Sequence, residues 1–245
     1  MSVFSSIDRR ILAIALPSIV SNITVPLLGL VDVAVTGHMG ADGDTVGALP
    51  ASYYVGAIAV GGMLFNIIYW MFGFLRMGTG GETAQAWGRR DLDGVVLLLV
   101  RSLLLALVLA LVLMALSPLV RDGALWYIAP EAEVASLART YFNICIWGAV
   151  PALGLFAMNG WYIGMQNSRF PMIVAIGQNL LNIACSIFFV YALGMRIEGV
   201  ALGTLLAQWV AFIIALLLCL RYYRRLWKRK SFRVPSFLLL LRQAV

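Results

Sequence analysis

Charged residues are scarce in this chain of 245 residues: Asp, Glu, Lys and Arg together make up only 12%. An ordinary globular domain has about 25% charged residues. Here the hydrophobic share is 62% and the mean hydropathy is +0.93. These values exclude a typical water-soluble domain and indicate a protein whose main solvent is the lipid bilayer.

Histidine and cysteine are scarce as well, which limits the chemistry. The only histidine, His38, follows the first apolar run, and the three cysteines lie inside apolar runs without paired spacing. Neither a disulfide framework nor a metal site is predicted. The sequence also lacks the GxSG motif that a rhomboid-type intramembrane protease would need. We therefore expect no enzymatic activity, no metal and no organic cofactor.

What the chain does have is long apolar runs. A bilayer core takes roughly 20 helical residues to cross, and six runs are long enough: 11–35, 46–75, 92–116, 134–159, 170–193 and 200–220. The predicted fold is an all-α integral membrane protein with one six-helix domain over residues 1–221. The longest predicted connections, near 76–91 and 117–133, are too short for a soluble domain, so function is expected within the helices.

The basic residues predict the orientation in the membrane. Eight of the eighteen Lys and Arg residues lie at Arg221 or later, directly after the last run. Short segments rich in Lys and Arg stay in the cytoplasm, which predicts an inner-membrane protein with both ends of this chain cytoplasmic. The charge of +7 then describes a membrane-flanking segment near lipid headgroups, not a nucleic-acid site.

Residues 222–245 are predicted to be a basic cytoplasmic linker followed by the start of a further helix. The apolar segment 236–245 is only ten residues long and cannot cross a bilayer. It either lies on the membrane surface or begins a seventh span that the sequence does not complete, and we favour the second interpretation.

Asp32 is the most informative polar residue, since it interrupts the apolar stretch LLGLVDVAV. A carboxylate at the centre of a membrane helix costs about 2.5–3.5 kcal/mol on insertion scales, and such groups nearly always face a bundle interior or an aqueous cavity. Burial favours the neutral, protonated carboxyl, so Asp32 is a candidate proton-binding group. The alternative is a carboxylate near the end of the span that reaches the headgroups.

The same predicted helix carries two prolines. Pro26 leaves the carbonyl of Asn22 without its usual amide donor, and Pro17 does the same to Ala13, so a bend is expected at each position. A helix with Pro17, Asn22, Pro26 and Asp32 suits a change of shape around a titrating group.

Polar residues also lie inside later spans. Asn179, Asn182 and Ser186 have helical spacing in the fifth, Thr204 and Gln208 are four residues apart in the sixth, and Asn159 is placed at the end of the fourth. They either hydrogen-bond across helices, at about 0.6 kcal/mol per pair, or line a shared cavity. Gly160 with Gly164 and Gly199 with Gly203 have the GxxxG spacing of close helix packing.

Several of these segments resemble the multidrug and toxic compound extrusion (MATE) family in its DinF-like branch. The similar stretches are LPSIVSNITVPLLGLVDVAVTGHMG at 16–40, RMGTGGETAQAWGRRD at 76–91, GMQNSRFPMIVAIGQNLLNI at 164–183 and GVALGT at 199–204.

The resemblance implies half of a twelve-helix, two-lobe exporter that exchanges protons or sodium ions for organic, often cationic compounds. This chain would supply the first lobe, and the second lobe would be its missing partner. The resemblance further assigns the coupling carboxylate to Asp32, the helix bend to Pro26, and a polar network to Asn159, Asn182 and Thr204.

One position departs from the family pattern. Many relatives have an aspartate four residues after the asparagine that matches Asn182, and here Ser186 occupies that position. A coupling scheme with two carboxylates in this lobe is therefore not expected.

The resulting hypothesis is a proton-coupled antiporter that exports drug-like compounds by alternating access. The alternative is a flippase for lipid-linked saccharides or peptidoglycan precursors. A flippase is expected to have more cations within its spans to bind pyrophosphate, and only Arg101 and Arg139 are predicted to enter the spans, both near the ends.

Overall fold

The computed structural model describes residues 49–224, together with 19, 31 and 33–37. The helices from residue 51 onward are, in chain order, α1 (Ala51–Met71), α2 (Gly73–Gly88), α3 (Leu92–Ile128), α4 (Ala132–Cys145), α5 (Ala149–Gly164), α6 (Arg169–Ile187) and α7 (Ile197–Tyr222). Residues 33–37 are helical as well. Most of the first predicted span and residues 225–245 lie outside the described part.

Five elements in the described residues are long and apolar enough to cross a membrane: Ala51–Gly88, Leu92–Ile128, Ala132–Gly164, Arg169–Ala192 and Ile197–Arg221. The first combines α1 and α2, which are separated by Phe72 alone, and the third combines α4 and α5 through a 3-10 turn at Ile146–Gly148. These elements overlap the second to sixth predicted spans.

The two long connections predicted near 76–91 and 117–133 are wrong. Helix α2 continues to Gly88 and α3 continues to Ile128, so each of these two connections has only three residues, 89–91 and 129–131. The loss of hydrophobicity at these positions marks the end of the apolar layer, not the end of the helix. Segments such as GETAQAW contain good helix formers, which extend the helices beyond the hydrocarbon core.

Each link has a local explanation in side-chain and backbone geometry. The Asp91 carboxylate accepts a hydrogen bond from the Gly94 amide at 2.8 Å and so caps the start of α3. Arg90 and Ala129 adopt positive φ angles of 58° and 47°, which turns the chain after α2 and after α3.

Helix α5 lies at the centre of the bundle. Its Leu153, Ala157, Met158, Trp161 and Tyr162 side chains are fully buried, and α2, α3 and α7 all pack against it. By contrast, Leu119 of α3 and Leu217 of α7 are 74% and 58% exposed. This outward apolar surface is expected for a protein surrounded by lipid.

The Gly160–Gly164 pair allows α5 to approach α2 closely. A Cβ atom added to Gly160 would lie 3.1 Å from the Gly80 amide nitrogen, and one added to Gly164 would lie 2.7 Å from the Gly80 carbonyl oxygen. A side chain at either position would push the two backbones apart, so the packing role predicted from the GxxxG spacing is confirmed.

The second glycine pair performs the same task between α6 and α7. A Cβ atom on Gly203 would lie 2.6 Å from Ser186 Oγ and 2.9 Å from the Ser186 amide nitrogen. One on Gly199 would lie 3.1 Å from Phe189 Cβ. The spacing of α6 and α7 therefore depends on the missing side chain at Gly203.

Replacing Gly203 with Ala is expected to lower the free energy of unfolding by about 1–3 kcal/mol, because the methyl group would force α6 away from α7. Thermal unfolding of the purified intact protein measures the change. The matched control is Gly177→Ala on α6, where an added Cβ has no atom within 4 Å. Equal melting temperatures for the two variants would contradict the proposed close contact.

Candidate functional site

Three of the predicted polar residues form one hydrogen-bonded network between α6 and α7. The Asn182 amide nitrogen donates to Thr204 Oγ1 at 3.0 Å, and the Ser186 hydroxyl donates to Asn182 Oδ1 at 3.3 Å. The Thr204 hydroxyl in turn donates to the Val200 carbonyl oxygen at 3.1 Å. Asn182 therefore uses both ends of its amide, and the network ends on the backbone of α7.

The helix geometry explains why these residues meet. Asn182 and Ser186 are one helical turn apart on the same face of α6, and Gly203 brings that face against α7. Asn182 is 4% exposed and Ser186 is fully buried. Asn179, the third member of the predicted stripe, lines none of the described cavities. Only part of the stripe therefore contributes to this arrangement.

The network lies on the wall of a cavity of about 600 Å³. Ligand pockets commonly have volumes of roughly 300–1,000 Å³ and mostly apolar walls. The walls here are mainly apolar, and the polar side chains among them are Asn66, Tyr69, Tyr141, Asn182, Thr204 and Gln208. The cavity has the size and composition of a site for a small organic molecule.

A smaller cavity of about 170 Å³ is lined by residues of α1, α5, α6 and α7. Its polar lining consists of Tyr69, Asn159, Gln178 and Gln208, and Gln208 and Tyr69 also line the larger cavity. Asn159 does not end its helix as predicted. Helix α5 continues to Gly164 because its apolar and small residues keep the helical packing against α2, and Asn159 thus lies inside the bundle.

Sequence reasoning missed Tyr69, which lines three of the described cavities. Its hydroxyl is buried and has no hydrogen-bond partner among the residues that the structure describes. The sequence does contain a signal, since Asn66 and Tyr69 lie three residues apart on one helix face. Tyr69 lies next to Trp70 near a span end, where aromatic residues usually form the interfacial belt. Its position in the sequence therefore does not indicate that it lines a cavity.

Sequence reasoning also missed Arg76, which it placed in a connection. Arg76 lies on α2 and lines a third cavity of about 570 Å³ together with Tyr69, Trp70 and Phe156. Among the described residues that line these three cavities, Arg76 is the charged side chain. Arg139, by contrast, pairs with Asp122 at 3.5 Å on an exposed surface.

The predicted coupling residue and helix bends cannot be compared with the structure. Pro17, Asn22, Pro26 and Asp32 lie outside the described residues, so their roles stay predictions. Val33, the residue after Asp32 in the chain, lines the larger cavity.

The described helices thus form a membrane-spanning bundle with a mainly apolar cavity of ligand size, which is an arrangement compatible with a membrane transport protein. The comparison with known families is consistent with this class. The family description MatE matches residues 17–188, which is more than half of the chain, and the chain belongs to the MatE family.

Individual relatives agree with this assignment. DNA damage-inducible protein F of Escherichia coli (strain K12) is 36% identical over 218 residues, which cover 89% of this chain and 45% of that protein. Multidrug and toxin extrusion protein 2 of Mus musculus is 27% identical over 232 residues, which cover 91% of this chain and 38% of that protein. The chain thus spans about half the length of the curated relatives it matches.

The solved structures show the same fold. The crystal structure of MATE in the bent conformation superposes with a TM-score of 0.76 at 22% identity, covering 94% of this chain and 49% of that one. The predicted fold class, one lobe of a MATE-type transporter, is confirmed. The five membrane-length helices and the family membership confirm that the chain is a multi-pass membrane protein. Members of this family are transporters and not enzymes.

Replacing Thr204 with Val keeps the side-chain shape but leaves the Asn182 amide without its partner. The expected cost is about 1–3 kcal/mol of unfolding free energy, since a buried donor becomes unsatisfied. A double-mutant cycle with Asn182→Leu measures the coupling between the two residues. Thr140→Val, which removes an exposed hydroxyl bonded only to the Ser136 carbonyl oxygen, is the control. Independent, additive effects of the two substitutions would contradict the network.

Proposed function

We propose that this chain supplies the N-terminal lobe of a proton-coupled antiporter that exports organic, drug-like compounds across the inner membrane. The observation that carries the proposal is the Asn182–Thr204 hydrogen bond on the wall of a largely apolar cavity inside a membrane-spanning bundle. The named function of the mouse relative, multidrug and toxin extrusion, supports the same activity.

The chemistry of the larger cavity favours amphipathic substrates. Apolar walls contribute binding through surface burial, at roughly 25 cal/mol per Å². The few amide and hydroxyl groups offer hydrogen bonds without demanding one shape of ligand. No charged side chain lines this cavity in the described residues. Selection for cationic compounds would therefore depend on a carboxylate outside them, and Asp32 is the candidate.

Coupling requires that protonation and substrate binding influence one another. We assign the proton to Asp32, whose neighbour Val33 lines the larger cavity. A protonated Asp32 has lost its charge, so it attracts an organic cation less and favours a different bend of the first helix. A proton shifts the balance between two conformations only by its differential affinity for them. Alternating access follows if the outward state binds protons more tightly than the inward state.

Ser186 restricts the coupling scheme to one carboxylate in this lobe. The serine hydroxyl donates to Asn182 and lies against Gly203, so it completes the network as a neutral group. A scheme with one coupling carboxylate exchanges one charge per cycle. We favour the proton over sodium as the coupling ion, because a sodium site usually needs several oxygen ligands and this network already uses most of its oxygens internally.

The remaining parts of the proposal concern topology and partners. Both ends of the chain are assigned to the cytoplasm on the basis of the Lys and Arg distribution. The partner is a second lobe that would cover the cavity from the other side, as expected for a chain that matches about half of its relatives. Anionic lipid headgroups would contact the basic segment after Arg221.

Replacing Asp32 with Asn in the intact protein is expected to abolish proton-driven efflux, because the amide keeps the size of the carboxyl but cannot exchange a proton. Uptake of a fluorescent cation into everted membrane vesicles with an imposed pH gradient measures the effect, since export in the cell corresponds to uptake in everted vesicles. Asp122→Asn is the matched control, since that carboxylate is 47% exposed and pairs with Arg121 away from the cavities. Undiminished transport by the Asp32 variant would refute the coupling role.

Arg76 supports a second candidate, a flippase for lipid-linked saccharides or peptidoglycan precursors. A flippase must hold a pyrophosphate, and Arg76 offers a cation on a cavity with aromatic walls. It is a single cation, however, whereas a pyrophosphate carries several charges. The exporter therefore remains our first choice.

The two candidates predict opposite results for Arg76→Gln. A flippase that grips pyrophosphate through Arg76 would lose most of its transport, whereas an exporter of organic cations would keep its rate. Arg76→Lys, which retains the charge, is the control. Efflux of a fluorescent cation and translocation of a lipid-linked sugar, measured in the same proteoliposomes, distinguish the two functions.

A further inference from the structure

The cavity of about 570 Å³ that contains Arg76 combines a cation with aromatic walls, and we call it the arginine groove. Of its eight described lining residues, four are aromatic and one, Arg76, is charged. The aromatic residues are Tyr69, Trp70, Phe74 and Phe156. The volume lies within the roughly 300–1,000 Å³ that is usual for pockets that bind small organic molecules.

The groove follows the α1–α2 element and is completed by α5. Tyr69 and Arg76 are seven residues apart, which is about two helical turns and places them on one side of the element. From α5, the Phe156 ring meets Tyr69 edge-on at a centroid distance of 6.2 Å. The rings therefore line the same space as the guanidinium of Arg76.

The Arg76 side chain is free to bind a ligand, whereas its backbone is held in place. Arg76 forms neither an ion pair nor a side-chain hydrogen bond with the described residues, and no acidic residue is among those that line the groove. A Cβ atom added to Gly160 would lie 3.2 Å from the Arg76 carbonyl carbon. This close backbone contact with α5 fixes the position from which the cation extends.

The chemistry of the lining favours one class of ligand. A guanidinium presents a planar fork of N–H donors that matches the two oxygens of a carboxylate and binds other oxyanions as well. Aromatic side chains bind other rings in offset or edge-on contacts, worth about 0.5–1.5 kcal/mol beyond surface burial. A single cation matches a single negative charge and disfavours an organic cation.

We propose that the arginine groove binds aromatic organic monoanions, with a carboxylate or sulfonate on Arg76 and the ring against the aromatic walls. Asn66 and Tyr69 line both this groove and the larger cavity. The lobe thus has two adjoining sites with different charge preferences. The anion site goes beyond the proposed export of cations and does not rest on it, because it needs neither Asp32 nor a proton gradient.

Isothermal titration of the purified intact protein with naphthalene-1-sulfonate, and with its neutral analogue naphthalene-1-sulfonamide, tests the site. Arg76→Gln is expected to weaken sulfonate binding by at least about tenfold, because a charge-assisted hydrogen bond is lost. Sulfonamide binding should stay within about twofold, since that probe carries no charge. Arg76→Lys keeps the charge without the fork and should bind the sulfonate with intermediate affinity.

The control for surface charge is Arg169→Gln, which changes an exposed arginine that lines none of the described cavities. This variant is expected to bind both probes like the wild type. An equal loss of sulfonate binding in Arg169→Gln and Arg76→Gln would show general attraction to the basic protein and would overturn the proposed site.

Filling the groove tests where the ring binds. Gly73 lines the groove and Gly78 does not, and a Cβ atom added at either position has no atom within 4 Å. Gly73→Leu is therefore expected to fold normally and to weaken the binding of both probes several-fold. Gly78→Leu on the same helix is the matched control and should leave both affinities unchanged.

Four further results would overturn the proposal. Two are unchanged sulfonate affinity in Arg76→Gln and unchanged affinity for both probes in Gly73→Leu. The third is tighter binding of inorganic pyrophosphate than of the sulfonate, which would identify a polyphosphate site. The fourth is loss of sulfonate binding when the protein is placed in nanodiscs of phosphatidylglycerol but not of phosphatidylcholine, which would identify a lipid-headgroup site. The efflux experiment with Asp32→Asn tests the export proposal alone.

Discussion

Helices α6 and α7 approach each other so closely at Gly203 that an added Cβ would lie 2.6 Å from Ser186 Oγ. This close approach places Asn182 within 3.0 Å of Thr204, and the same helix face closes one side of the larger cavity. In a membrane, helices gain little from burying apolar side chains against each other, so van der Waals contact and hydrogen bonds must hold them together. The network is thus both a structural contact and the polar wall of the cavity.

The polar groups of this lobe fall into two environments. Asn182, Ser186 and Thr204 satisfy one another, so they present a neutral and rigid surface to the cavity. One buried side-chain oxygen of each of Tyr69, Asn159 and Gln208 has no hydrogen-bond partner among the described residues.

Much of the fold follows from hydrophobicity and small-residue spacing alone. The five later spans, the close contact at Gly160 and Gly164, and the meeting of Asn182 with Ser186 all depend on periodicity within one helix, which a sequence displays directly. The helical extensions to Gly88 and Ile128 were missed because hydropathy marks the apolar layer and not the helix end. Tyr69 and Arg76 were missed because a cavity depends on how helices cross, and no local pattern records a crossing.

The proposed coupling requires that a proton and an organic cation compete for binding to this lobe. Linkage requires that if a proton weakens cation binding, the cation must expel the proton by the same coupling free energy. Proton release on adding a lipophilic cation to the purified, weakly buffered intact protein measures this directly. We expect release of up to about half a proton per bound cation at the pH at which the carboxyl of the free protein is half protonated, rising toward about one at lower pH, until the pH nears the carboxyl's lowered pKa in the cation-bound protein. Cation binding without any proton release across the neutral pH range would contradict the account.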